Sequence, residues 1–370
     1  MSIRASIRSK WLALCSTIAL AILMVGAIGT PQAAHAASPA LYTFTSFTNS
    51  SQSNLYVYQS SDGLNFHALA APATFTSPTG YLRDPSITRI GSRYYVAYTD
   101  NTFANDNHTF GIAYSTNLIN WTFLTSVTMP SGTFKTWAPE WFKDTDGSIN
   151  IIVNLNRTNS GDSNFIPHLV TALNSSLTSW SAATPLAGIG PNYIDAFPVK
   201  IGNTYHIFTK NETTKYIEQA TASKLGGPYT FVGTGNWAGW GQYLEGPALY
   251  QLDDGTWRII MDGYNAGSFW YSDSHDLFHS WTAKQKLPDG LSGVVRHGTV
   301  LKENGNGAGG PAGYTFCAPE NGHCGFSGSM KVAYGASGSF YYKTISGGTA
   351  CTNAVFGDPK VGAVKGCYVQ

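Results

Sequence analysis

Ser115-Thr-Asn-Leu-Ile-Asn-Trp121 decides how this chain folds, because variants of it occur four more times. They are Ser60-Ser-Asp-Gly-Leu-Asn-Phe66, Asn174-Ser-Ser-Leu-Thr-Ser-Trp180, Ser223-Lys-Leu-Gly-Gly-Pro-Tyr229 and Ser274-His-Asp-Leu-Phe-His-Ser-Trp281. Successive closing aromatics stand 55, 59, 49 and 52 residues apart. Such a period marks an array of small supersecondary units, and near 50 residues the strand-built kind is a propeller blade. A second series interleaves with the first: Asp84 in LRDPSI, Glu140 in WAPEW, Asp195 in IDAFPV, Glu245 in LEGPAL and His297 in RHGTV. Each leads into alternating apolar residues. Five units opening on polar groups make a ring with chemistry at its centre.

Between the signatures, strand-like alternation dominates, as in RYYVAYT, INIIVNL, TYHIFTK and TWRIIMD. Asp62-Gly63, Asp146-Gly147 and Asp254-Gly255 supply hairpin turns. The two series are out of phase at the ends, since the last polar-headed strand, after His297, has no signature behind it. Residues 41–70 are therefore expected to supply outer strands to that blade and close the ring. The expected class is all-β: a five-bladed β-propeller over 37–303, a Gly-rich linker at 304–313, and a small disulfide-containing module at 314–370. A module of about 57 residues needs its staples to stay folded.

Residues 1–36 read as a secretory signal peptide. Arg4, Arg8 and Lys10 precede a mostly apolar stretch from Trp11 to Ile28, and Ala34-His35-Ala36 has the cleavage pattern. Without them, nineteen basic side chains face twenty-one acidic ones. A near-neutral surface offers no electrostatic footprint for nucleic acid or anionic lipid. The expected protein is secreted, extracellular and monomeric. Its remaining cysteines, Cys317, Cys324, Cys351 and Cys367, point to two disulfides whose pairing the spacing leaves open. Those spacings fit no familiar zinc pattern. Aromatic residues make up 14% of the chain, a share that suits β-rich cores and flat apolar sugar faces alike.

In a propeller the innermost strands converge on the axis, so Asp84, Asp195 and Glu245 read as equivalent residues facing one cavity. Carboxylates so gathered must differ in pKa, which is the requirement of acid–base chemistry at a glycosidic bond. Arg83-Asp84-Pro85-Ser86, Trp137-Ala138-Pro139-Glu140, Ile194-Asp195-Ala196-Phe197-Pro198 and Leu244-Glu245-Gly246-Pro247 together resemble glycoside hydrolase family 43 over roughly residues 40 to 303.

That resemblance implies an inverting hydrolase acting on arabinan, arabinoxylan or xylan, with Asp84 as general base, Glu245 as general acid and Asp195 as the residue that orients the acid and modulates its pKa. Base and acid would stand about 6.5–9.5 Å apart to admit a water. The leading expectation is release of terminal α-L-arabinofuranosyl units, with β-xylosyl units next and exo-β-galactosidase or endo-arabinanase activity as alternatives. A non-catalytic carbohydrate-binding propeller is the reading from another class, disfavoured because the five strand heads differ. Arg83, Trp137, Phe197, Arg296 and His297 are the candidate sugar-binding residues, Trp137 being equally a core residue. Glu140 falls out of register and is expected beside the cavity. Lys210 and Glu212 are expected either at the site or as a solvated pair. No cofactor is required; a structural calcium near His297 is the open alternative. In the C-terminal module Tyr334, Phe340, Tyr341 and Tyr342 are candidates for carbohydrate contact.

Overall fold

A computed structural model describes residues 40–69, 75–101, 107–303, 311, 314–326, 328–336, 338–363 and 365–370. The expected signal peptide and most of the linker lie outside them. Four sheets run in sequence order, each of four antiparallel strands, beginning with the inner strands Arg83–Ile90, Lys135–Lys143, Tyr193–Ile201 and Glu245–Gln251. The fifth is assembled from both ends of the ring. Its inner strand Val300–Glu303 pairs antiparallel with Leu41–Thr48, in a register that sets Leu41 against Glu303 and Phe44 against Val300. Ser51–Ser60 and His67–Ala68 continue outward. Each inner strand packs against the next, and the fifth returns to the first, so the protein is a closed five-bladed β-propeller. The closure anticipated from the phase of the repeats is present.

The second strand of a blade is buried on both faces, which is why Tyr95–Tyr98 and Ile151–Val153 read as unbroken apolar runs. Val96 and Tyr98 face the fifth blade, while Tyr95 and Ala97 face the second. In the same way Ile152 packs toward the third blade and Ile151 and Val153 toward the first. Five apolar clusters thus fill the five seams.

The recurring signature is the turn from third to fourth strand. Ser115 Oγ accepts from Leu118 N at 2.9 Å, and Asn117 Oδ1 accepts from Asn120 N at 2.8 Å. Leu118 takes φ 65°, and Trp121 Nε1 donates to its carbonyl at 2.9 Å. Ser60 with Asp62 and Ser274 with Asp276 cap their turns likewise. Trp180 closes its turn on Leu177 O at 3.0 Å, and Tyr229 on Leu225 O at 2.8 Å. Short polar side chains that satisfy turn amides are the physical content of the motif.

Beyond the ring, Thr315–Pro319, Gly366–Val369, Ser329–Ala336 and Ser339–Ser346 form a further sheet in that order. Cys317 pairs with Cys324 and Cys351 with Cys367, at Cα–Cα separations of 5.1 and 5.6 Å. Tyr334 is fully buried, with its hydroxyl against Glu320 and Asn353, so it cannot meet a ligand. Phe340 packs edge-on against Tyr368, whereas Tyr341 and Tyr342 are 49% and 47% exposed.

Candidate active site

Four inner strands are interrupted by a bulge at the same point. The ladder slips between Arg83 and Ser86, Ile194 and Phe197, and Glu245 and Ala248, and in the second blade opposite Asn154. The residue at each bulge adopts a left-handed backbone: Asp84 at φ 51°, Ala138 at 44°, Asp195 at 55° and Gly246 at 56°. Non-glycine residues there cost of order 1–3 kcal/mol, and strain of this kind is concentrated at functional sites. The bulge turns its side chain out of the pleat toward the axis.

This register corrects the equivalence read from sequence. Gly246, not Glu245, matches Asp84 and Asp195; Glu245 matches Arg83, Trp137 and Ile194. Pro85, Pro139 and Pro247 mark the same alignment. Glycine is required at 246, because a Cβ there would lie 2.4 Å from the His297 ring.

The axial cavity has a volume of about 370 Å³ and gathers Asp84, Asp195, Glu245, Arg83, Trp137, Arg296 and His297. Lys210 and Glu212 join them as an ion pair, Nζ to Oε1 at 2.7 Å, so the expected pair exists but lies at the cavity and largely out of solvent. Phe197 does not line the cavity. Two residues past the bulge, it pairs with Phe208 and packs among the cores of its own and neighbouring blades. Trp137 stacks on Phe165 with centroids 4.4 Å apart while still lining the cavity. It therefore serves as core and wall at once. Sequence reasoning missed Phe47, Gln52, Asp162, Lys215 and Tyr264, which also line the cavity. Phe47 lies between two guanidiniums, 5.8 Å from Arg83 and 5.5 Å from Arg296.

His297 sits between the two bulge acids, its Nδ1 3.4 Å from Asp84 Oδ1 and 3.8 Å from Asp195 Oδ2. Thr99 Oγ1 donates to Asp84 Oδ2 at 2.9 Å. Asp195 Oδ2 accepts from Gly246 N at 3.0 Å, which anchors the backbone beside Glu245. The Glu245 carboxylate is held from both sides, Oε2 by Lys210 Nζ at 2.9 Å and Oε1 by Arg296 Nη2 at 3.1 Å. Arg296 Nε in turn meets Asp262 Oδ2 at 2.6 Å.

These contacts drive the acids apart. Burial raises the Asp84 carboxyl, but the Arg83 and His297 charges and the donated hydrogen bonds overcome it and hold Asp84 well below the usual carboxylate range. Burial dominates at Asp195, pushed up to about 6 with the Glu245 charge adding and His297 opposing. Asp262 is likewise raised to about 6 by burial and the Glu245 charge, despite its ion pair with Arg296. His297 loses affinity for its proton through burial, yet Asp195 and Asp84 raise it to about 9.

Glu140 is buried outside the cavity lining, where its Oε1 accepts from Ser86 Oγ at 2.7 Å. Burial pushes it up to about 8. Between its unfolded value near 4.5 and about 8 the folded state holds the extra proton, so stability falls as pH rises through that window. Glu140→Gln keeps the shape without the charge. It is expected to match the wild type at pH 5 and to exceed it at pH 9 by on the order of a few kcal/mol in denaturant unfolding. Parallel pH dependence in both proteins would remove Glu140 as the source.

Among the described residues no group of three His, Cys, Asp or Glu side chains is arranged to hold a metal ion.

Three carboxylates, from two bulges and the head of the fourth blade, thus meet a histidine from the fifth in one cavity. Residues 38–304 match the family described as "Probable glycosyl hydrolase domain", related to glycoside hydrolase family 43, and the chain belongs to that family. Its fold resembles the GH43 BlXynB protein of Bacillus licheniformis, at 14% identity and TM-score 0.50, over 69% of this chain and 56% of that one. The α-L-arabinanase of Cellvibrio cellulosa, solved with arabinohexaose, aligns at 15% identity and TM-score 0.47 over 67% and 92%. Among curated proteins, uncharacterized protein L701 of Acanthamoeba polyphaga mimivirus is 36% identical over 73 residues, which is 19% of this chain. The match spans about a third (34%) of that relative.

Proposed function

We propose that this glycosidase is a secreted, inverting enzyme that removes terminal α-L-arabinofuranosyl or β-xylosyl units from plant cell-wall polysaccharide. One observation carries the reading: Asp84 and Glu245 stand on non-adjacent blades of one cavity, each with its own set of charged partners. Asp84, kept ionised, takes a proton from a water whose oxygen bonds to the anomeric carbon. The glycosidic bond breaks as Glu245 delivers its proton to the leaving oxygen. Asp195 holds the Gly246 amide and so fixes the backbone that carries Glu245. Trp137 and Phe47 offer apolar faces for the sugar ring. Export is supported by the composition of residues 1–36 and by two disulfides, which persist in oxidising surroundings.

Proton NMR of the first product formed from debranched arabinan, arabinoxylan and a panel of aryl glycosides tests this. Arabinose or xylose of inverted configuration is the expected product. Retained configuration would recast Asp84 as a nucleophile. Galactose alone, or arabino-oligosaccharides from arabinan, would overturn the substrate or the exo mode.

A further inference from the structure

The second strand of each of the four bulged blades places a polar side chain opposite the residue that precedes the bulge. Thr99 stands against Arg83, Asn154 against Trp137, Lys210 against Ile194 and Asp262 against Glu245. Three of the four reach across the seam to the next blade. Thr99 Oγ1 accepts from Ala138 N at 2.8 Å, Lys210 meets Glu245, and Asp262 Oδ2 accepts from His297 N at 3.0 Å. Thr99 and Lys210 also touch a proposed catalytic carboxylate directly. Asp262 does not line the cavity, is 1% exposed, and reaches Glu245 through Arg296.

One of its two oxygens, Oδ2, accepts from both Arg296 Nε and the His297 amide. A guanidinium is rigid and planar, so fixing Nε fixes where both terminal nitrogens point. One, Nη2, meets Glu245; the other, Nη1, donates to Asn49 Oδ1. The same cation also lies over the Phe47 ring, 5.5 Å from its centroid. Placing a carboxylate at such depth is costly unless a partner compensates, so its presence at this ladder position calls for a role.

We propose that Asp262 is a positioning residue for the acid step, setting the Arg296 guanidinium so that it holds the Glu245 carboxyl where the leaving oxygen will be. This rests on the reading of Glu245 as general acid. The loss should therefore track how much protonation the leaving group needs. For Asp262→Asn, kcat/KM on the natural glycoside identified by NMR should fall about 10²-fold, as for a misplaced catalytic group. On the corresponding dinitrophenyl glycoside it should fall only a few-fold, because that leaving group needs little protonation. A Glu245→Ala/Asp262→Asn double variant should be no slower than Glu245→Ala alone, since both act on one step.

Equal losses on both substrates, or multiplying losses in the double variant, would overturn the role of Asp262 provided Glu245→Ala itself spares the activated substrate. If Glu245→Ala loses equally on both, the acid assignment fails first and the proposal with it. Should Asp262→Asn not fold, Arg296→Lys decides. It keeps the charge and removes the fork, and the same leaving-group-selective loss is expected; a uniform loss would refute the proposal.

Discussion

Asp84→Ala is expected to yield a folded propeller whose hydrolysis is slowed by up to about 10⁴-fold, the upper range for removing a general base. Folding should survive because the ring already contains the test. Ala138 occupies the same bulge in the second blade at φ 44°, close to the 51° of Asp84. Thr99 loses one acceptor but keeps its bond from the Ala138 amide, and His297 keeps Asp195. The His297 pKa should fall from about 9, since one of the carboxylates that raise it is gone. Steady-state kinetics, thermal melting and NMR titration of the histidine separate these effects. Near-normal turnover in a folded variant would dismiss Asp84 as base.

Deleting residues 41–70 should abolish the whole ring rather than trim one blade. Val300–Glu303 has Leu41–Thr48 as its one sheet neighbour, so the fifth inner strand would lose its pairing. Two seams would open together. Tyr42, Phe44, Tyr58 and Phe66 leave the cluster shared with the fourth blade, and Leu55 and Val57 the one shared with the first. Fully burying one such side chain contributes about 1.5–3 kcal/mol. Six of them rival the whole net stability of a domain, about 5–15 kcal/mol. Circular dichroism and hydrogen exchange should show no cooperative fold. A truncated protein that still melts in one sharp transition would refute closure by the termini.

The ring was legible in the sequence because its turns are local. A serine, an aspartate or asparagine and an aromatic within about eight residues carry their own hydrogen bonds, so the period survives however the strands pack. Asp84 and Glu245 were legible because each sits at a bulge closed by Pro, at 85 and 247, as Ala138 does at 139; Asp195, followed by Ala196, was legible from its place in the repeat. Their exact equivalence was not. A bulge adds one residue to one strand, and strand alternation read straight through it moves Glu245 into the place of Gly246. Phe197 was misplaced for the same reason, being past the bulge and back in the pleat. Asp262, Phe47 and Tyr264 lie on strands and loops that the inner-strand motifs do not mention. Aligning the second strands on Thr99 would have found Asp262.

The pairing of Arg296 with Asn49 joins residues 247 apart in sequence. Asn49 sits where the first two strands turn back on each other, and Arg296 is the group that grips Glu245. A chain emerging from its N-terminus would thus present its first strand long before its mate arrived, an open edge inviting foreign strands. Until residue 300 joined it, no cavity would exist to cleave anything.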